Sequence, residues 1–194
     1  MSSAYSPLIL ASQSPRRKAL LAQIGIPCIV IPSRAKERFG KGSPAAQARR
    51  LATEKAQEVA TRLQRRGEGH GWVLGADTIV VKSGRLLGKP RSAAEAVRML
   101  RLLSGATHEV ITGLALLPLG EGKPWISHES TQVSFRSLSE AEIAGYVASG
   151  DPMDKAGAYG IQGHAGAFVK GIRGDYFNVV GLPLSKLSAK LNEG

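Results

Sequence analysis

Hydrophobic positions fall into short runs near the start of the chain, with helical stripes between them. Leu8-Ile9-Leu10-Ala11 reads as a buried strand, and Leu20, Leu21 and Ile24 share one face of a helix that Ser14 caps, Pro15 opens and Gly25 stops. Cys28-Ile29-Val30-Ile31 reads as a second short buried strand, closed by Pro32-Ser33. Ser43-Pro44 repeats the cap-then-proline signal and predicts a helix to Arg66, with Leu51, Ala52, Ala56, Val59 and Leu63 along one arc.

The strongest strand signal is Trp72 to Val81, apolar almost throughout and so expected to be buried on both faces. Ser83-Gly84 turns it into a hairpin through Arg85 to Gly88, ending at Lys89-Pro90. Ser92 with Glu95, and Ser139 with Glu142, have the spacing of capping boxes for two further helices. The second of these buries Ile143, Tyr146 and Val147. Long strands are predicted over 108–117 and 125–135, a shorter one over 167–172, and a helical stretch over 178–191 broken at Gly181-Leu182-Pro183. Helices alternate with strands early and hairpins dominate the middle, which indicates an α/β protein with a mixed sheet.

Charge changes the picture in one region. Of a formal net charge of +11, most arises over residues 34–66, where ten Lys or Arg face three Glu. Phe39 is the only aromatic residue there, so the stacking platforms of a nucleic-acid surface are missing. The stretch reads as a solvated helix face. Cys28 is the sole cysteine, which excludes an intrachain disulfide and suits a reducing compartment. No apolar run approaches a membrane span and the N-terminus has no signal-type core, so the cytoplasm is expected.

The candidate chemistry is carried by charges in unusual places. Arg16, Arg17 and Lys18 fill the first turn of the first helix, where the helix dipole already disfavours cations. That turn is either an anion site or a solvated basic turn. Lys55 falls within the apolar arc of its helix and either snorkels or points to an anion. Asp77, with Thr78 beside it, sits mid-strand, where a carboxylate needs a hydrogen bond, a cation or a metal. Gly75 and Ala76 leave room beside it. Adding Glu37 and Lys89, with Lys155 a further candidate, gives the inventory of a polyphosphate site. There is no Walker motif, no histidine pair at metal spacing and no Gly-x-Ser-x-Gly elbow. The residues alone point to binding and hydrolysis of something phosphorylated.

Ala11-Ser12-Gln13-Ser14-Pro15-Arg16-Arg17, Gly75-Ala76-Asp77-Thr78, Lys89-Pro90, Leu103-Ser104-Gly105, Thr107-His108, Thr112 and Gly181-Leu182-Pro183-Leu184 occur in that order. Together they resemble the Maf family of nucleoside triphosphate pyrophosphatases over nearly the whole chain. Asp154 to Gly163 resembles the branch acting on dTTP and UTP rather than the branch acting on 7-methyl-GTP. The resemblance implies one domain over residues 1–194, with an extended mixed sheet and flanking helices forming two lobes around a cleft, as in inosine triphosphate pyrophosphatases. It implies attack of water on the α-phosphorus, with Asp77 as proton acceptor. Asp77 and Glu37 would hold Mg²⁺ or Mn²⁺, and Ser14, Arg17, Lys55 and Lys89 would bind the triphosphate. Arg16, Thr78 and Gln162 would choose the base, the Gln162 amide both donating to and accepting from a pyrimidine edge. A homodimer is also implied. Family members often carry two adjacent acids in the loop where Lys36 precedes Glu37 here. One loop carboxylate with Asp77 still suits Mg²⁺, which takes one or two carboxylates and keeps several waters. The competing expectations are a sister enzyme of the same family acting on 7-methyl-GTP or another modified nucleotide, and a basic nucleic-acid- or partner-binding regulator of cell division.

Overall fold

The computed structural model describes residues 7–193, so the first six positions and the last of the expected 1–194 domain lie outside the described residues. Its elements are β1 (Leu8–Leu10), α1 (Pro15–Gln23), β2 (Ile29–Val30), α2 (Pro44–Gln64), β3 (Trp72–Lys82), β4 (Arg85–Leu87) and α3 (Ala93–Leu103). There follow β5 (Thr107–Pro118), β6 (Trp125–Phe135), α4 (Glu140–Ala148), β7 (Val169–Arg173), α5 (Tyr176–Val180) and α6 (Leu184–Asn192). Seven strands form one sheet in the order β2-β1-β3-β5-β6-β7, with β4 on β3. The sheet is mixed: β1 runs parallel to β2 and β3, whereas β4 on β3 and β7 on β6 are antiparallel.

Contacts divide the chain into two compact units. The first takes the chain up to Asp77, Thr112–Glu129 and everything from Gly181 onward; the second takes Thr78–Ile111 and Ser130–Val180. The core of the first is built from Ile9, Ala52, Ala56, Val59, Leu63, Val73, Ala115 and Leu117. That of the second is built from Val80, Leu100, Leu103, Val110, Val133, Phe135, Ile143, Tyr146, Tyr159 and Phe168. The apolar arc of α2 and the alternation Thr131, Val133, Phe135 on β6 are both buried, as their periods predict.

Two local expectations change. The run 28–31 yields only two strand residues, and Ile29 and Val30 are 54% and 37% exposed, because β2 is the last strand of the sheet and pairs on one side only. Ser92 accepts from the Glu95 amide at 3.2 Å, but Glu95 returns its bond to the amide of Arg91, not to that of the cap residue. Ser139 and Glu142 do close the full reciprocal box. The glycine- and alanine-rich stretch after α4 coils into 3₁₀ turns at Asp151–Asp154, Ala156–Ala158 and His164–Phe168.

In the second unit His108 is 3% exposed, its Nε2 2.7 Å from the Tyr159 hydroxyl and its ring edge-on to Phe135. Nδ1 has no hydrogen-bond partner among the described residues. Burial, helped by Lys82, lowers the imidazole from its ordinary 6.5 to about 4. The unfolded chain therefore takes up a proton that the fold refuses. Stability from this group is complete above pH 6.5 and is lost as pH falls toward 4. The whole window is worth about 3 kcal/mol. His108→Gln, which keeps a partner for Tyr159 and does not titrate, is expected to flatten the decline in urea midpoint across that range. A variant whose decline parallels the wild type rules the histidine out as its source.

Candidate functional site

The turn between β1 and α1 is held by one side chain whose role the sequence did not single out. Ser12 is buried, and its Oγ accepts both the Ser14 amide at 3.2 Å and Arg17 Nη1 at 3.0 Å. Ser14 occupies the cap position with extended backbone, yet its own side chain makes no capping bond. Ser14 is thus not the side-chain acceptor of the first turn, and no acidic residue lies in that turn. Arg17 is 8% exposed, and its Nε donates to the Gly181 carbonyl at 2.8 Å, across 164 residues of chain. Burial lowers the guanidinium's hold on its proton; the charges of Asp77 and Glu37 act in the opposite sense. Arg17 therefore shares one electrostatic environment with the two candidate carboxylates of the first unit. Arg16 is half-buried beside it and Lys18 is exposed.

Lys55 reaches those carboxylates because α2 lies unusually close to the sheet. A Cβ on Gly75 of β3 would stand 2.1 Å from the Ala52 carbonyl oxygen, and one on Gly113 of β5 would stand 2.1 Å from that of Ala48. Only glycine permits this approach. The Lys55 stem packs in the arc of α2, and its Nζ donates to Glu37 Oε1 at 2.7 Å and to Asp77 Oδ1. Both alternatives for Lys55 meet in one residue: a packed stem, and a head committed to anions that the protein itself supplies. Its side chain is 12% exposed, that of Asp77 6% and that of Glu37 39%. Burial pushes the Asp77 carboxyl above the usual carboxylate range; Lys55 and Arg17 pull it back and Glu37 adds to the rise.

The donor set tests whether a metal fits. Two carboxylates converge on one cationic position, and carboxylate oxygens are the ligands a small hard cation takes. Among the described residues no group of three or more His, Cys, Asp and Glu side chains is arranged for a metal. The set suits an ion that shares its remaining positions with water and phosphate, as Mg²⁺ does, and does not suit zinc.

Thr78, Lys89 and Gln162 belong to the second unit. Thr78 is half-buried next to Asp77 on β3, and Lys89 is exposed just beyond β4. Gln162 is exposed in the turn that follows Tyr159. The Gly157 amide donates to the Gly88 carbonyl at 3.0 Å, which ties the stretch leading to Gln162 to the one leading to Lys89. Lys155 is occupied within its own loop by Asp151 and Asp154. The basic stretch over 34–66 is partly neutralised locally, Arg50 by Glu54 and Arg62 by Glu58. No helix among the described residues is long and apolar enough to cross a membrane.

The chain is similar to known proteins over nearly its whole length. A dTTP/UTP pyrophosphatase of Moorella thermoacetica is 51% identical over 187 residues, covering 96% of this chain and 94% of its own. Proteins of the same name from Ruminiclostridium cellulolyticum and Symbiobacterium thermophilum are 47% and 50% identical, each over 96% of this chain and over 96% and 93% of their own. The structure of the Staphylococcus aureus Ham1 protein superposes with a TM-score of 0.53 at 14% identity, over 96% of this chain and 98% of that one, a likeness of fold. The family described as Maf-like protein matches residues 7–194, and the chain belongs to it.

Proposed function

We propose that the chain hydrolyses dTTP and UTP to the monophosphate and pyrophosphate. One observation carries the reading on the structural side: Lys55 bridges Asp77 and Glu37, with Arg17 close enough for the same charges to act on it. Relatives near 50% identity that bear the name dTTP/UTP pyrophosphatase support the choice of substrate.

In this reading a water oxygen bonds to the α-phosphorus while the bond to the bridging oxygen of the β-phosphate breaks. Asp77 takes the proton of the attacking water, a role suited to a carboxylate whose proton affinity burial has raised. Ser14, Arg17, Lys55 and Lys89 bind the triphosphate, and pyrophosphate leaves with its charge neutralised by these donors. Lys55 then exchanges protein carboxylates for phosphate oxygens. Glu37 and Asp77 hold Mg²⁺ or Mn²⁺, which neutralises phosphate charge when bound. Arg16, Thr78 and Gln162 select the base. The 1–194 chain acts as one cytoplasmic enzyme domain and pairs as a homodimer.

The test is pyrophosphate release from dTTP, UTP, dCTP, GTP and 7-methyl-GTP, with Mg²⁺ or Mn²⁺ supplied and then chelated. Release that is fastest from dTTP and UTP and stops on chelation is the expected result. Release confined to 7-methyl-GTP transfers the chain to the sister activity. Duplex DNA binding that falls steeply with salt, without hydrolysis of any nucleotide, replaces the enzyme reading altogether.

A further inference from the structure

Lys155 is a cation enclosed by acids of its own loop. Its side chain is 11% exposed. Its ammonium donates to the Asp151 carbonyl at 2.5 Å, to Asp151 Oδ1 at 3.0 Å and to Asp154 Oδ1 at 2.6 Å, which uses all three of its protons. The other carboxylate oxygen of Asp151 accepts the Tyr146 hydroxyl at 2.9 Å, and that hydroxyl in turn accepts the Gly160 amide at 3.3 Å. The Lys155 stem also fills the space where Gly160 has no side chain, since a Cβ there would stand 2.6 Å from Lys155 Cε.

The chain between these anchors is strained. Gly157 and Ala158 have φ of +69° and +62°, and Ala158 carries a Cβ in the left-handed region while fully buried. Such conformations persist only where surrounding contacts over-determine them, and they collect at ligand-binding segments. Gln162 lies two residues beyond Gly160, and the turn between closes with the Gly163 amide on the Gly160 carbonyl at 3.2 Å.

A glutamine amide is a donor at one end and an acceptor at the other. In one orientation it matches the O4 acceptor and N3 donor of thymine or uracil. Turned over, it matches the N4 donor and N3 acceptor of cytosine equally well. Glutamine alone therefore distinguishes neither. The distinction requires that the amide be held one way.

We infer that Tyr146, Asp151 and Lys155 are positioning residues for base selection: they fix the backbone at Gly160 and through it the orientation of Gln162. The inference rests on Gln162 as the base-reading residue of the proposed function. The three side chains act through Gly160 and Gln162, so their removal is read in selectivity more than in turnover.

The experiment compares kcat/KM for dTTP and dCTP in Tyr146→Phe, Asp151→Asn and Lys155→Met, each alone and combined with Gln162→Ala. Loss of one charge-assisted bond is expected to lower the dTTP-to-dCTP ratio about tenfold. Part of that fall should come from an absolute gain on dCTP, which general destabilisation cannot produce. In the Gln162→Ala background the same changes should add nothing. Should Asp151→Asn or Lys155→Met fail to fold, Tyr146→Phe, which removes a single oxygen, reads the same ratio. A wild-type ratio in the folded variants, with Gln162→Ala shifting it, overturns the inference and leaves the role of Gln162 standing. A wild-type ratio in Gln162→Ala itself overturns both. Equal effects with and without Gln162 also overturn the inference, since the three residues would then act by another route.

Discussion

Asp77→Asn is expected to lower pyrophosphate release from dTTP by about 10²–10⁴-fold, the usual cost of removing a positioned general base. Asparagine keeps the shape and an oxygen that can still accept from Lys55, but it cannot take the proton of the attacking water. The fold should survive. Burial raises the Asp77 pKa above its unfolded value, so the fold favours the protonated acid over the ion. By linkage, any stability this group contributes is complete below the unfolded pKa and is lost as pH rises through the folded one. Once ionised, the carboxylate is thus no asset to stability, and a neutral amide in its place leaves Lys55 paired with Glu37. The thermal midpoint should change little while activity collapses. Steady-state turnover beside a melting curve separates the outcomes. Turnover within tenfold of the wild type in a folded protein means that another group takes the proton.

How far the site could be read from residues depends on whether a local rule reaches it. Asp77 stood out because a carboxylate amid Val, Leu and Ile on a doubly buried strand breaks a local pattern. Arg17 stood out because cations oppose the helix dipole. Ser139 with Glu142, and the apolar arc of α2, follow from fixed spacings and are found in place. What escaped was set by residues distant in sequence. One partner of Arg17 is a backbone carbonyl 164 positions away, a group every residue possesses, so no side-chain pattern announces it. Ser12 lies within the opening motif, yet a serine two positions before a cap looks like any loop serine until its oxygen is seen to accept two donors. The enclosure of Lys155 was hidden too, because charge alone cannot tell an ammonium facing solvent from one enclosed by Asp151 and Asp154. The run 28–31 is apolar as a buried strand is, and only the strand order reveals it as an exposed edge.

Gly75→Ala tests the link between packing and chemistry that holds the first unit's site together. The added Cβ would stand 2.1 Å from the Ala52 carbonyl oxygen and 2.9 Å from both the amide nitrogen and Cβ of Ala56. Two of these atoms are helix backbone, which cannot swing aside as the end of a flexible side chain can. The helix or the strand must move. Overpacking of a filled core costs about 1–3 kcal/mol, and a clash with backbone belongs at the upper end. In a chain of this size that lowers the melting temperature by roughly 6–12 °C. Lys55 rides on the same face of α2 as Ala52 and Ala56, so any outward shift of the helix draws its ammonium away from Asp77 and from the triphosphate. The folded fraction should therefore also lose about tenfold in kcat/KM for dTTP, an effect of misplacing a charge-assisted contact. Gly145→Ala serves as the control. It lies in α4 with nothing within 4 Å of the added methyl, and should stabilise the protein by about 0.5–1 kcal/mol through helix propensity, with no change in kinetics. If Gly75→Ala melts with the wild type, the close approach of α2 is not what holds Lys55 in place. If it melts low yet turns over normally at a temperature where it is folded, the approach serves stability alone and Lys55 reaches the acid by its own flexibility.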